Sequence, residues 1–151
     1  KASTNARNIS HNLMPPEFAE TTLKELLDNN FRRMNKESNV HFYFHYTGSN
    51  HHFDKQEELM IYRIVMELTN NIIKHAKATE STIQFIYHEE HLALVIEDNG
   101  KGFYNDSSKG IGLKNIQSRV KYLNGSLDID SGNNGTTIMI QIPYKDGNEK
   151  N

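Results

Sequence analysis

The stretch Arg63-Ile64-Val65-Met66-Glu67-Leu68-Thr69-Asn70-Asn71-Ile72-Ile73-Lys74-His75-Ala76-Lys77-Ala78 carries two stripes at once. At about 100° per residue, Ile64, Val65, Leu68 and Ile72 share a sector with the preceding Ile61, which marks a helix face turned to a sheet. Arg63, Glu67, Asn71 and Lys74 fall in a neighbouring sector about a third of a turn away. They therefore sit at the rim of the buried face, where a ligand has access. Asp54, with Glu57 three residues on, supplies an N-terminal capping box, and the helix is expected to run to about Ala76.

Upstream, Val40, Phe42, Phe44 and Tyr46 alternate with His41, Tyr43 and His45, the period of two that a half-buried strand requires. Before them, Phe18, Leu23, Leu26, Leu27, Phe31 and Met34 line one side of a helix that follows the break at Pro15-Pro16. Downstream, Thr82–His88 and Leu92–Asp98 read as two strands joined by a tight turn near Glu89-Glu90. Asn99–Gly110 is a polar, glycine-rich loop, and Leu113–Leu123 is a helix stopped by Asn124-Gly125. Leu127–Ile129 and Thr136–Ile142 close the chain as a hairpin across residues 131–135. Strands joined mostly as hairpins, with helices between, predict an α+β two-layer sandwich.

The 151 residues suffice for one domain with a real core. Lys plus Arg number 17 against 19 Asp plus Glu, a formal net charge of -2, so nothing recommends a nucleic-acid surface. Cysteine is absent, which excludes disulfides and thiolate zinc sites. No apolar run reaches the roughly 18 to 20 residues of a membrane span. The chain opens on Lys1 without a signal peptide and reads as a piece of a longer protein.

The chemistry lies in three clusters. A hard cation such as Mg²⁺ takes oxygen ligands and keeps waters, so the side-chain carbonyl of Asn71 plus phosphate oxygens makes a sufficient site. Lys74 can offset phosphate charge, and Glu67 can order a metal-bound water or take a proton from a nucleophile. On the helix alone, a solvated polar face is the plainer alternative. Asp98 ends a strand whose members Leu92, Leu94 and Ile96 share its face, so its carboxylate is expected on the core side. There it needs a donor, and the exocyclic amine of adenine is one. Gly100 and Gly102 let the backbone turn closely past a base, though a D-x-G-x-G turn also suits an ordinary hairpin. Gly110-Ile111-Gly112 precedes a helix whose free N–H groups and dipole attract phosphate. Thr136 shares parity with Ile138, Ile140 and Ile142, which points its hydroxyl inward, either to assist Asp98 through a water or as a structural threonine.

Taken in order, these clusters resemble the boxes of the gyrase, Hsp90, histidine kinase and MutL (GHKL) ATPase superfamily. R-I-V-M-E-L-T-N-N-I-I-K-H-A-K-A from Arg63 resembles its N box. D-N-G-K-G-F from Asp98 resembles its G1 box, G-I-G-L-K-N-I-Q-S-R-V from Gly110 its G2 box, and G-T-T-I-M-I-Q-I-P from Gly135 its closing strand. Within the superfamily the chain is similar to the catalytic ATP-binding domain of sensor histidine kinases, in the subfamily paired with NarL-type response regulators. The resemblance implies a Bergerat-type sandwich with a mixed, mostly antiparallel sheet and helices on one face. It implies that Asn71 coordinates Mg²⁺, that Asp98 binds the adenine amine, and that Gly110, Ile111, Gly112 and Leu113 meet the phosphates. Glu67 becomes the catalytic carboxylate, Lys74 and His75 lie near the phosphates, and residues 101–109 form a lid, in whose polar run the apolar Phe103 is expected as the hinge contact. The implied partners are a dimerisation domain of the same protein, which carries the phosphoacceptor histidine and makes the full-length protein a homodimer, and a receiver domain. The implied location is cytoplasmic.

On the same resemblance, residues 1–34 are the end of a dimerisation helix and a linker helix, residues 35–144 the catalytic domain, and residues 145–151 a polar tail. His11 is followed by Asn12, not by the acidic residue usual after the acceptor in this subfamily, so the acceptor is expected elsewhere. Two other classes compete: an ATPase that hydrolyses ATP to clamp a dimer, and a degenerate docking module. The short lid speaks against the first, and intact Glu67, Asn71 and Asp98 speak against the second.

Overall fold

The computed structural model describes residues 20–48, 53–102 and 112–145. Helix α1, Leu23–Glu37, starts where the Thr22 hydroxyl accepts the Glu25 N–H at 3.1 Å. Its stripe of Leu23, Leu27, Phe31 and Met34 is buried. Strand β1, His41–Thr47, follows it. Helix α2, Lys55–Asn71, begins with the expected box: the Glu57 N–H donates to Asp54 at 2.8 Å, and the Asp54 N–H donates back to Glu57 at 2.9 Å. α2 continues as a π-helical turn, Ile72–Ala76, and stops at Lys77 in the left-handed region.

Strands β2, Glu80–Tyr87, and β3, His91–Asp98, form the expected hairpin. Helix α3, Leu113–Tyr122, ends with Asn124 at φ 58° and the Gly125 N–H returned to the Val120 carbonyl at 2.9 Å. Strands β4, Ser126–Gly132, and β5, Gly135–Pro143, complete the chain. Both run further toward the turn than expected, because Asp130, Ser131 and Gly132 pair with Thr137, Thr136 and Gly135 despite being weak strand formers.

The sheet order is β1-β2-β3-β5-β4. β1 lies parallel to β2, with α2 as the crossover, and the remaining pairs are antiparallel. One face of this α+β sandwich carries Phe42, Ile83, Phe85, Leu92, Leu94, Ile96, Ile138, Ile140 and Ile142, all nearly inaccessible. Against it pack Ile61, Ile64, Val65, Leu68 and Ile72 of α2, the predicted stripe, with Ile116 and Val120 of α3. α1 joins the same core through aromatic contacts: Phe31 lies 5.0 Å from Phe44 and 5.6 Å from Phe42, centroid to centroid. At the edge of β1 the Asn35 side chain acts as a short strand. Its Nδ2 donates to the Phe42 carbonyl at 3.0 Å, and its Oδ1 accepts the Phe42 N–H at 2.7 Å.

Candidate functional site

The helix-covered face of the sheet is apolar along most of its length and changes character at one end. In register across four strands there stand Ser81, Asp98, Thr136 and Ser131. Each occupies a position whose next inward neighbours are isoleucines, Ile83, Ile96, Ile138 and Ile129. A row of side chains that keeps the buried parity but switches to polar atoms is costly unless those atoms are satisfied. Among the described residues no buried side-chain nitrogen or oxygen lacks a partner.

Asp98 is the charged member. Its Oδ1 accepts the Gly100 N–H at 2.8 Å, and the Thr136 backbone N–H also donates to the carboxylate. Burial pushes its pKa up, and these two donors pull it back. A half-buried carboxylate held by fixed N–H groups can still accept from an incoming amine. The Ser81 hydroxyl donates to the Glu97 carbonyl at 2.7 Å, and the hydroxyls of Ser131 and Thr136 lie 2.8 Å apart.

Two neighbours hold Asp98 in place. Gly100 packs so tightly on the end of α2 that a Cβ there would fall 2.1 Å from the Ala76 carbonyl oxygen, and the Lys101 N–H donates to that oxygen at 2.8 Å. The glycine that was expected to leave room for a base thus first leaves room for the helix end. Gly102, at φ 70°, abuts the Gly132 backbone in the same way. Asn99 was not anticipated from the sequence. Its Oδ1 accepts from the Thr79 and Glu80 N–H groups at 2.9 and 3.0 Å, and its Nδ2 donates to the Thr79 hydroxyl at 2.9 Å. It staples the turn after β3 to the start of β2. An Asx residue beside a glycine turn signals a bond to its own neighbouring backbone, whereas the partners of Asn99 lie about 20 residues away on an adjacent strand, so local sequence carried no sign of them.

The helix that carries the second stripe ends against this end of the sheet, where the Ala76 carbonyl meets the Lys101 N–H. Asn71, the last α-helical residue, is buried, and Glu67 one turn earlier is half-buried. Glu67 reaches the start of α3: its Oε1 lies against Gly112, which sits at φ 60° where α3 begins, and leaves no space for a Cβ. Leu113 is the first residue of α3. Lys74 is exposed and His75 half-buried, both in the π-helical turn. That turn widens the helix by one residue, so 100° spacing does not carry past Asn71. The pKa of Arg63, at the other end of the stripe, is lowered by burial and by the positive Arg119 of α3. Phe103, Gly110 and Ile111 lie outside the described residues, as do His11 and nearly all of the expected lid. No group of three or more His, Cys, Asp or Glu side chains gathers as a metal cage among the described residues. No helix among them is long and apolar enough to cross a membrane.

The sequence is 29% identical over 144 residues to the oxygen sensor histidine kinase NreB of Staphylococcus carnosus, covering 93% of this chain and 42% of that protein. It is 30% identical over 141 residues to the signal transduction histidine-protein kinase/phosphatase UhpB of Salmonella typhimurium, covering 92% of this chain and 28% of the other. The chain thus spans less than half the length of these curated relatives. In fold it matches the Acinetobacter baumannii histidine kinase AdeS, with a TM-score of 0.67 at 19% identity over 82% of this chain and 64% of that one. It also matches the histidine kinase domain of a blue-light activated kinase from Erythrobacter litoralis, with a TM-score of 0.65 at 20% identity over 81% of this chain and 65% of that one. Residues 56–146, which include the second stripe of α2, Asp98 and Thr136, match the sequence family described as histidine kinase-, DNA gyrase B-, and HSP90-like ATPases, and the chain belongs to that family.

Proposed function

We propose that this chain is the ATP-binding catalytic unit of a two-component sensor histidine kinase, which passes the γ-phosphoryl group of ATP to a histidine on a dimerisation domain of the same protein. The observation that carries the reading is Asp98: a half-buried carboxylate, held by the Gly100 N–H, in a polar row at the end of an apolar sheet. That row offers acceptors and donors to a purine edge, while α2 sets Glu67 and Asn71 above it and α3 starts beside Glu67. Adenine is read by Asp98 and Thr136, and the phosphates extend toward Gly112 and Leu113 at the start of α3.

The donor set suits Mg²⁺, since Asn71 and Glu67 offer oxygen and no cysteine exists. Asn71 would hold the ion, which when bound neutralises charge on the triphosphate. Lys74 adds a cation near the phosphates. In the transfer, a nitrogen of the acceptor imidazole forms a bond to the γ-phosphorus, the bond to the β-phosphate oxygen breaks, and ADP leaves. Glu67 accepts the imidazole proton. α1 is the linker helix in this reading, seated on the catalytic sheet through Leu23, Leu27, Phe31 and Met34. The phosphorylated histidine then supplies a receiver domain, of the NarL-type regulators by the resemblance of the N box ending Lys74-His75-Ala76 to that subfamily. The cytoplasm, where ATP is abundant, is the fitting compartment.

Isothermal calorimetry of this chain with ADP or ATP and Mg²⁺ should show one site, while γ-labelled ATP should leave no stable label on the chain. Absent binding at millimolar nucleotide, or stable self-labelling, contradicts the assignment.

A further inference from the structure

The polar row contains a residue with no part in the reading above. Ser131 of β4 stands directly opposite Thr136, and their hydroxyls are 2.8 Å apart. Thr136 in turn stands directly opposite Asp98 on β3. Side chains so opposed on one face have Cβ atoms about 4.5–5.5 Å apart, close enough to orient one another. Resting on the nucleotide reading of this site, we propose that Ser131 fixes Thr136 as a hydrogen-bond donor and so makes the row selective for adenine over guanine.

Thr136 has one hydroxyl proton and two lone pairs. The anionic field of Asp98 draws that proton toward the carboxylate side of the row, where a base would lie. Ser131 completes the arrangement by giving its own proton to Thr136 Oγ1. The row then presents an acceptor, Asp98, beside a donor, Thr136. Adenine offers the complementary pair along its Watson–Crick edge, an amine donor at N6 and an acceptor at N1. Guanine offers the reverse, a carbonyl at O6 and an N–H at N1, so it would set oxygen against carboxylate and proton against proton. Mismatched polar groups in a desolvated site are what separates close analogues most strongly. Without Ser131, the Asp98 field alone orients the Thr136 hydroxyl, and the pattern weakens.

The test compares ADP and GDP affinities, by calorimetry, for this chain and for Ser131→Ala and Ser131→Thr, with the melting temperature of each. Ser131→Ala should weaken ADP about three- to tenfold, the worth of one neutral hydrogen bond, and leave GDP unchanged. Ser131→Thr, which keeps the hydroxyl, should restore the preference. An unchanged ADP-to-GDP ratio in Ser131→Ala overturns the proposal. So does an equal loss for both nucleotides with a lowered melting temperature, which marks a strut of the hairpin. Failure of the unaltered chain to bind ADP overturns the nucleotide reading itself, and this proposal with it.

Discussion

Asp98 exerts opposite effects on stability and on binding. Its pKa is raised, burial being the larger cause, so the native state binds more protons than the unfolded chain between the ordinary carboxylate value and the raised one. Stability therefore falls as pH rises through that window, and the full cost of the buried charge is present at pH 7. Asp98→Asn removes this cost. It should melt at the same temperature or higher at pH 7, with the difference closing below pH ~4, while ADP affinity drops about tenfold or more for lack of an anionic acceptor. A lower melting temperature with undiminished ADP binding would place the base elsewhere. The same titration implies that the parent chain loses ADP affinity as pH falls toward the raised pKa, a dependence that a pH series of calorimetric titrations should show for the parent and not for Asp98→Asn. Asp98 and Thr136 were legible because strand parity alone turns them inward. Ser131 and Asn99 were not, because their roles depend on which strand lies alongside and on a turn that sequence places only loosely.

At the scale of elements, α1 and α2 illustrate how far periodicity reaches. The stripe of α1 spells a buried face, and the fractions agree: Leu27 is 0% and Leu23 1% exposed. Leu27→Ala should cost about 2–5 kcal/mol by urea unfolding, as for a core position and unlike a solvated linker. At the start of α2, Asp54→Ala should cost about 1 kcal/mol, since it removes the acceptor of the Glu57 N–H. Asp54 is exposed and also lies 3.8 Å from Lys145 Nζ, so Asp54→Asn, which keeps a capping oxygen and drops the charge, separates the cap from the ion pair. The capping box was readable from two residues at fixed spacing. The π-helical turn at Ile72–Ala76 was not, because nothing in I-I-K-H-A favours a wider ring. Tertiary contact explains it: the Ala76 carbonyl meets the Lys101 N–H and the bare face of Gly100. Strand ends near the site were underestimated for a similar reason. Asp130, Ser131 and Gly132 are poor strand formers, retained where polar atoms are wanted, so function and propensity disagree there.

For the molecule as a whole, the apolar layer between sheet and helices holds the two halves of the proposed site in one frame: Asp98 and Thr136 belong to the sheet, Glu67 and Asn71 to α2. A nucleotide bridging both should raise overall stability. At a free concentration 100 times the dissociation constant, ADP should add about 2.7 kcal/mol, visible as an upward shift in melting temperature that Asp98→Asn, with its tenfold or greater loss of affinity, cuts to about half or less at the same concentration. The edge of β1 bears on a different matter, the behaviour of many copies together. An exposed outer strand is a template on which a second copy can lay its own strand and begin a fibre. The bidentate amide of Asn35 occupies the Phe42 N–H and carbonyl that such a visitor would need. Asn35→Ala should therefore leave a concentrated solution prone to ribbon-like assembly, detectable by light scattering and thioflavin fluorescence, while the parent chain stays clear. In that sense one asparagine acts as a guard on colloidal solubility, far from any chemistry the molecule performs.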